Sequence, residues 1–283
     1  MKKVVSNLLV MVTAFYSPTI NAEAAVPENL LSRRTALSRI VERTRALKSQ
    51  GQNPIALFDI DDTLVSTRER TLRILKEFAS QAEIQKNFKG EVQKISKLKE
   101  ADINYEMSVT LKKAGIENAK LQDLVGKFWS ERFFTNNYCR LDQAIAGSAE
   151  YLHQLVQAGA KIVYLTGRDA PSMLLGTQAN LKRNHFPDHP SQTLLMLKPN
   201  KQMNDLTFKS MVFSQIEKMG EVVGVFENEP ANLNAMAKAF PKATAVFLDT
   251  SHSPKPDIPA AGSVWITDYQ ASYSGPDQCA AAF

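Results

Sequence analysis

Five short apolar runs punctuate the chain, at 55–59, 161–166, 193–197, 221–226 and 244–248, each bounded by turn-forming or polar residues. Continuous apolar runs of this length predict strands covered on both faces rather than strands with one wet side. Between most of them the spacing changes to that of a helix. In 149–158, Tyr151, Leu152, Leu155 and Val156 share one face, and 208–219 repeats the pattern. Strands alternating with helices predict a three-layer α/β core built on a parallel sheet with right-handed crossovers.

The stretch 68–137 breaks the alternation: it is long, rich in Lys and Glu, helical in period and without a convincing strand. It reads as a helical cap inserted after the first strand. The connection 168–192 has room for one helix and a loop, not for a second cap. After Leu248 the chain is rich in Pro, Ser, Gly and Ala, which predicts an irregular tail with one edge strand at 263–266.

At the other end, Lys2 and Lys3 precede an apolar stretch running to about Tyr16, then Ser17-Pro18 and small residues through Ala25. That layout predicts a secretory signal peptide cleaved after Ala22 or Ala24, and hence a secreted or periplasmic protein. The stretch is shorter than the ~20 residues that span a bilayer, so no stable membrane insertion is expected after cleavage. The expected organisation is a signal peptide at 1–24, a core at 25–67 and 138–283, and a cap at 68–137. No cysteine adjoins the leader to accept a lipid. Cys139 and Cys279 could form a disulfide in an oxidising compartment or remain two thiols.

The formal charge of +5 is spread along the chain with no run of like charges, which gives no reason to expect nucleic acid as a partner. Nothing in the sequence sets an oligomeric state.

Candidate chemistry collects where strands should end, since in an open parallel sheet those ends converge on one crevice. The first strand runs into Phe58-Asp59-Ile60-Asp61-Asp62-Thr63. Two carboxylates two residues apart can face the same side, one attacking phosphorus and the other moving protons, and their repulsion should raise the proton affinity of one and suit it to be the acid. The second strand ends in Thr166-Gly167-Arg168, a hydroxyl and a glycine turn able to hold phosphate oxygens, with Arg168 as a further contact. A lysine should neutralise the developing charge, and Lys198 and Lys209 both qualify. The fourth strand ends in Glu227-Asn228-Glu229, where Glu227 is best placed to join Asp59 and a carbonyl near Asp61 as an oxygen ligand of Mg²⁺, with Glu229 as the alternative. Phe128, Trp129, Phe133, Phe134 and Tyr138 could line a pocket or form cap core, and Arg132 stands beside them as a candidate substrate contact.

In order and placement these four segments resemble the motifs of the haloacid dehalogenase superfamily, across roughly 54–248. The resemblance implies a Rossmann-like core and a phosphatase with Asp59 as nucleophile, Asp61 as general acid and base, Thr63, Thr166 and Gly167 around the phosphate, Lys209 as stabilising lysine, and Asp59, Asp61 and Glu227 holding Mg²⁺. The Asp-x-Asp pair favours phosphoryl transfer over dehalogenation, and a cap after the first motif implies a small phosphorylated substrate. Glutamate where that family normally places aspartate leaves a second reading, a non-catalytic phosphate-binding or adhesion module on the same fold.

Overall fold

The computed structural model describes residues 28–270. The expected leader and Cys279 lie outside the described residues, and Cys139 is a buried free cysteine. Helix α1 (Glu28–Ser49) leads into β1 (Pro54–Phe58). From β2 (Val65–Ser66) the chain leaves through α2 (Arg68–Ser80), α3 (Ala82–Asn87), α4 (Lys89–Lys97), α5 (Met107–Lys113), α6 (Ala119–Phe133) and α7 (Asn136–Cys139), and it returns at β3 (Gln143–Ala144). The remainder alternates: α8 (Ser148–Gln157), β4 (Lys161–Asp169), α9 (Ala170–Arg183), β5 (Thr193–Lys198), α10 (Asp205–Glu217), β6 (Glu221–Glu227), α11 (Pro230–Ala239), β7 (Thr244–Leu248) and β8 (Val264–Ile266).

The main sheet has six strands in the order β5-β4-β1-β6-β7-β8, every pair parallel. Side chains alternate between its faces. Ala56 and Phe58 of β1 pack with Leu37 and Ile40 of α1 and with Leu152 and Leu155 of α8. Ile55 and Leu57 pack with Phe208 and Ile216 of α10 and with Leu233 and Met236 of α11. Helices on both faces make the three-layer α/β core, and this double coverage is why the strands read as continuous apolar runs. The chain goes from β1 to β4 on one side and returns to β6 on the other, so the C-terminal end of β1 is a topological switch point.

The helices between β2 and β3 bury a cluster of their own, including Leu75 and Phe78 of α2, Ile95 of α4, Leu111 of α5 and Leu121 and Val125 of α6. They join the core through a short antiparallel ribbon in which Val65 pairs with Ala144 and Ser66 with Gln143. The edge strand expected at 263–266 is present as β8, which pairs parallel to β7 at the end of the sheet. The ribbon escapes any periodicity because each of its strands has only two residues. Among the described residues no helix is long and apolar enough to cross a membrane.

Candidate active site

At the switch point the Asp59 amide donates to the Phe226 carbonyl at 3.0 Å, which carries the register of β1 and β6 into the crevice. Beneath it the Phe58 and Phe226 rings stack with centroids 4.1 Å apart, fixing the two strand ends that carry Asp59 and Glu227. Lys209, from α10, lies between those carboxylates, with Nζ 2.7 Å from Asp59 Oδ1 and 2.5 Å from Glu227 Oε2. All three residues are buried. Glu227 Oε1 accepts from the backbone N–H groups of Asn228 and Glu229, both at 3.1 Å.

Two carboxylates therefore share one ammonium. Burial, and then the charge of Glu227, push the Asp59 carboxyl well above its ordinary value against the pull of Lys209. Burial also raises Glu227, again against Lys209. Burial alone would lower the Lys209 ammonium, but Asp59 and Glu227 outweigh it and raise it. The lysine is thus held charged.

Asp61, two residues on, has a different environment. Arg168 donates from Nε to Asp61 Oδ2 at 3.0 Å and from Nη2 to Oδ1 at 2.7 Å, and Arg70 Nη2 donates to Oδ1 at 2.7 Å. Both guanidiniums also bind the buried Asp142, Arg70 Nε at 2.8 Å and Arg168 Nη2 at 2.7 Å. Burial would push the Asp61 carboxyl up, but Arg168 and then Arg70 hold it well below the usual carboxylate range. The expectation that repulsion would suit Asp61 to be the acid is reversed: Asp59 carries the raised proton affinity, because the arginines sit on Asp61.

The other expected residues divide. Thr63 Oγ1 donates to Asn228 Oδ1 at 3.1 Å, tying the first segment to the fourth. The glycine turn expected after Thr166 is absent, because β4 continues with a bulge to Asp169, which pairs with Lys198. In that bulge Arg168 N donates to Thr166 Oγ1 at 3.2 Å. At Gly167 a Cβ would lie 2.2 Å from an Asp205 carboxylate oxygen, so a larger residue there would push the Asp205 side chain aside. Lys198 turns away from the crevice and donates to Asp205 at 2.7 Å and to the Met203 carbonyl at 2.9 Å. Glu229 accepts from Ser253 N at 2.9 Å and Ser253 Oγ at 2.6 Å. Arg132 is a correction: it stacks over Phe128 at 3.3 Å and pairs with Glu77 at 3.2 Å, so its charge is spent outside the cavity.

A cavity of about 320 Å³ opens above these groups. Its floor holds Asp59, Asp61, Lys209 and Glu227, and its opposite wall is Trp129, Phe133, Phe134 and Tyr105 from the helical segment. Trp129 Nε1 donates to Thr71 Oγ1 at 3.2 Å, and the Trp129 and Phe133 rings lie 4.4 Å apart. Phe128 instead packs on Phe78 in the cluster of the helical segment, and Tyr138 donates to Glu77. The aromatic run thus serves both purposes. Sequence reasoning missed Arg70 and Asp142, since no spacing rule separates a buried ion pair from ordinary solvated charges.

Among the described residues no three Asp, Glu, His or Cys side chains converge as a ready cage for a metal. The donor set expected for Mg²⁺ asks for less: two carboxylates, Asp59 and Glu227, a backbone carbonyl and waters. The buried charge fits such an ion, since two carboxylates facing one ammonium leave a negative excess, and every donor is a hard oxygen.

Residues 112–248 match the family model described as HAD superfamily, subfamily IIIB (Acid phosphatase). That stretch contains Thr166, Gly167, Arg168, Lys209 and Glu227 and begins after Asp59 and Asp61. No curated protein sequence matches the chain. Among solved structures, the class C acid phosphatase from Bacillus anthracis with tungstate bound is 15% identical with a TM-score of 0.36, covering 71% of this chain and 65% of that one, so this chain spans less than two thirds of that relative. CbbY from Rhodobacter sphaeroides in complex with phosphate is 14% identical with a TM-score of 0.39, covering 77% of this chain and 95% of that one. A hydrolase from Streptococcus pneumoniae is 9% identical with a TM-score of 0.41, covering 73% and 94%. The family match falls on the second, third and fourth of the four segments, and the first ends β1 at the switch point, so over 112–248 the chain is similar to the acid phosphatases of the haloacid dehalogenase superfamily.

Proposed function

We propose that the protein is an exported, Mg²⁺-dependent phosphomonoester hydrolase that works through an aspartyl-phosphate on Asp59. The observation that carries this reading is Lys209 bridging Asp59 and Glu227 at the floor of the cavity. A lysine held charged there keeps the nucleophile aimed and meets the charge that develops on the phosphoryl oxygens. Asp59 and Glu227, with the carbonyl of Asp61, would hold Mg²⁺, which supplies further neutralisation of the phosphoryl group when bound. The N-terminal basic and apolar pattern supports export.

In the first step an Asp59 oxygen bonds to phosphorus as the bond from phosphorus to the leaving oxygen breaks. In the second, water attacks phosphorus, its proton passes to Asp61, and the bond between phosphorus and the Asp59 oxygen breaks. Clamped by Arg70 and Arg168, Asp61 begins as a base. A phosphoryl group that draws Arg168 onto its own oxygens loosens the clamp and lets Asp61 take up a proton from solvent before the first step and pass it to the leaving oxygen; the proton taken from water in the second step restores it. Gly167 and Arg168 line the cavity beside the phosphoryl position, with Thr166 behind them as the hydroxyl assigned to it, and the helical segment acts as the cap. Its aromatic wall favours a small substrate with an aromatic or otherwise flat leaving group.

The test is phosphate release from an aryl phosphate. Turnover should vanish in EDTA and return with Mg²⁺. Turnover unaffected by chelation would contradict the metal assignment, and Mg²⁺ binding without turnover over a broad phosphoester panel would favour the non-catalytic module.

A further inference from the structure

The cavity is rich in carboxylates and short of free positive charge. It is lined by Asp59, Asp61, Asp62, Asp205, Glu227 and Glu229 against three basic side chains, Arg68, Arg168 and Lys209. Lys209 is committed to Asp59 and Glu227, and Arg168 to Asp61 and Asp142. Arg68 differs. Its backbone N–H donates to Ser66 Oγ at 3.4 Å, while its guanidinium has no hydrogen bond or ion pair among the described residues.

Its position is set by its neighbour: Thr67 donates to the buried Asp62 carboxylate from both its backbone N–H, at 3.0 Å, and its hydroxyl, at 2.7 Å. That double tie fixes the start of α2 against the loop after Asp59. Arg68 thus stands, half-buried, on the side of the cavity built by the helical segment, which also supplies Trp129 and Phe133. A partly desolvated guanidinium with no internal carboxylate is placed to receive an oxyanion brought from outside, and its planar fork suits paired oxygens. The phosphoryl group under attack is confined to the floor by Asp59 and Lys209, so the oxyanion that meets Arg68 belongs to the other end of the substrate.

We propose that Arg68 is a specificity-determining residue that selects phosphomonoesters whose leaving group carries a second oxyanion, a carboxylate or a second phosphate. The inference rests on the phosphatase reading.

The experiment compares kcat/KM for phenyl phosphate with that for the 2-, 3- and 4-carboxyphenyl phosphates and the corresponding phenylene bisphosphates, in the wild type, Arg68→Ala and Arg68→Lys. At least one charged isomer should exceed phenyl phosphate by ~10- to 100-fold in the wild type. That ratio should collapse towards one in Arg68→Ala and persist in part in Arg68→Lys. A preference for a carboxylate isomer or for a bisphosphate isomer identifies which oxyanion is taken. A wild type that hydrolyses all of them without preference, or an Arg68→Ala variant that loses rate equally on neutral and charged substrates, overturns the inference while leaving the phosphatase reading intact. A wild type that hydrolyses none of them with Mg²⁺ present sinks that reading and the inference together.

Discussion

The crevice has two halves that differ in charge balance. On one side Asp59 and Glu227 face the single ammonium of Lys209. On the other, Asp61 and Asp142 face two guanidiniums, Arg70 and Arg168. The first half is left with a negative excess and the second is neutral, although Asp59 and Asp61 are two residues apart. A deficit beside Asp59 is where a divalent cation would gain most on entering. A neutral, buried network suits an anchor, and this one ties α2, the loop ahead of β3 and β4 to one carboxylate. On the proposed mechanism the lysine half is the reactive half, while the arginine half ties the helical segment to the core.

The largest effect is expected where the deficit is deepest. Lys209→Met should lower kcat by ~10³-fold or more. It should also cost ~3–5 kcal/mol of stability in EDTA, because two buried carboxylates lose their common partner. Mg²⁺ should restore part of the stability and little of the rate. Phosphate-release kinetics and denaturant titrations with and without Mg²⁺ check this; a Lys209→Met enzyme with normal turnover would erase the distinction between the two halves.

The arginine half should respond in the opposite proportion. Arg70→Met and Asp142→Asn should each destabilise by ~3 kcal/mol or more, with a smaller loss of kcat than in Lys209→Met. Because the two residues are in contact, the double variant should be more stable than the summed single losses imply. Additive losses in a double-mutant cycle would mean that the pair is not a unit.

The smallest effect concerns Asp62, whose carboxyl burial pushes up to about 6 against the hydrogen bonds from Thr67. Its folded pKa lies above the unfolded value of ~3.9, so folding takes up a proton between the two. The stabilising contribution is full below about pH 4 and is lost as pH rises through about 6. Asp62→Asn cannot titrate, and it should flatten this fall by up to ~3 kcal/mol in denaturant titrations across that range. An unchanged slope would place the titration elsewhere.

The contrast between the halves was only partly legible in the sequence. The strands are readable because helices cover both faces of the sheet, which makes 55–58 and 222–226 runs free of polar side chains. Asp59 and Glu227 are readable because each stands at a strand end, where chain order alone brings them to one crevice, and Lys209 because it lies in the first turns of the helix that leads into β6. Arg70 and Asp142 are not, since they lie 72 residues apart and meet only because the β2–β3 ribbon closes the helical segment onto the core. Without them the sign of the Asp61 shift comes out wrong: two adjacent acids imply repulsion, and the arginines that cancel it come from elsewhere in the chain. Arg132 fails for the converse reason. It lies in the aromatic run, but Glu77 and the face of Phe128 hold it outside the cavity.

The most direct test of the central claim, that Asp59 is the nucleophile of the reactive half, is phosphate release from an aryl phosphate by Asp59→Asn with Mg²⁺ present. The variant should fold, since an amide can still accept from Lys209, and its kcat should fall by at least ~10⁴-fold. Turnover at the wild-type rate would contradict the account.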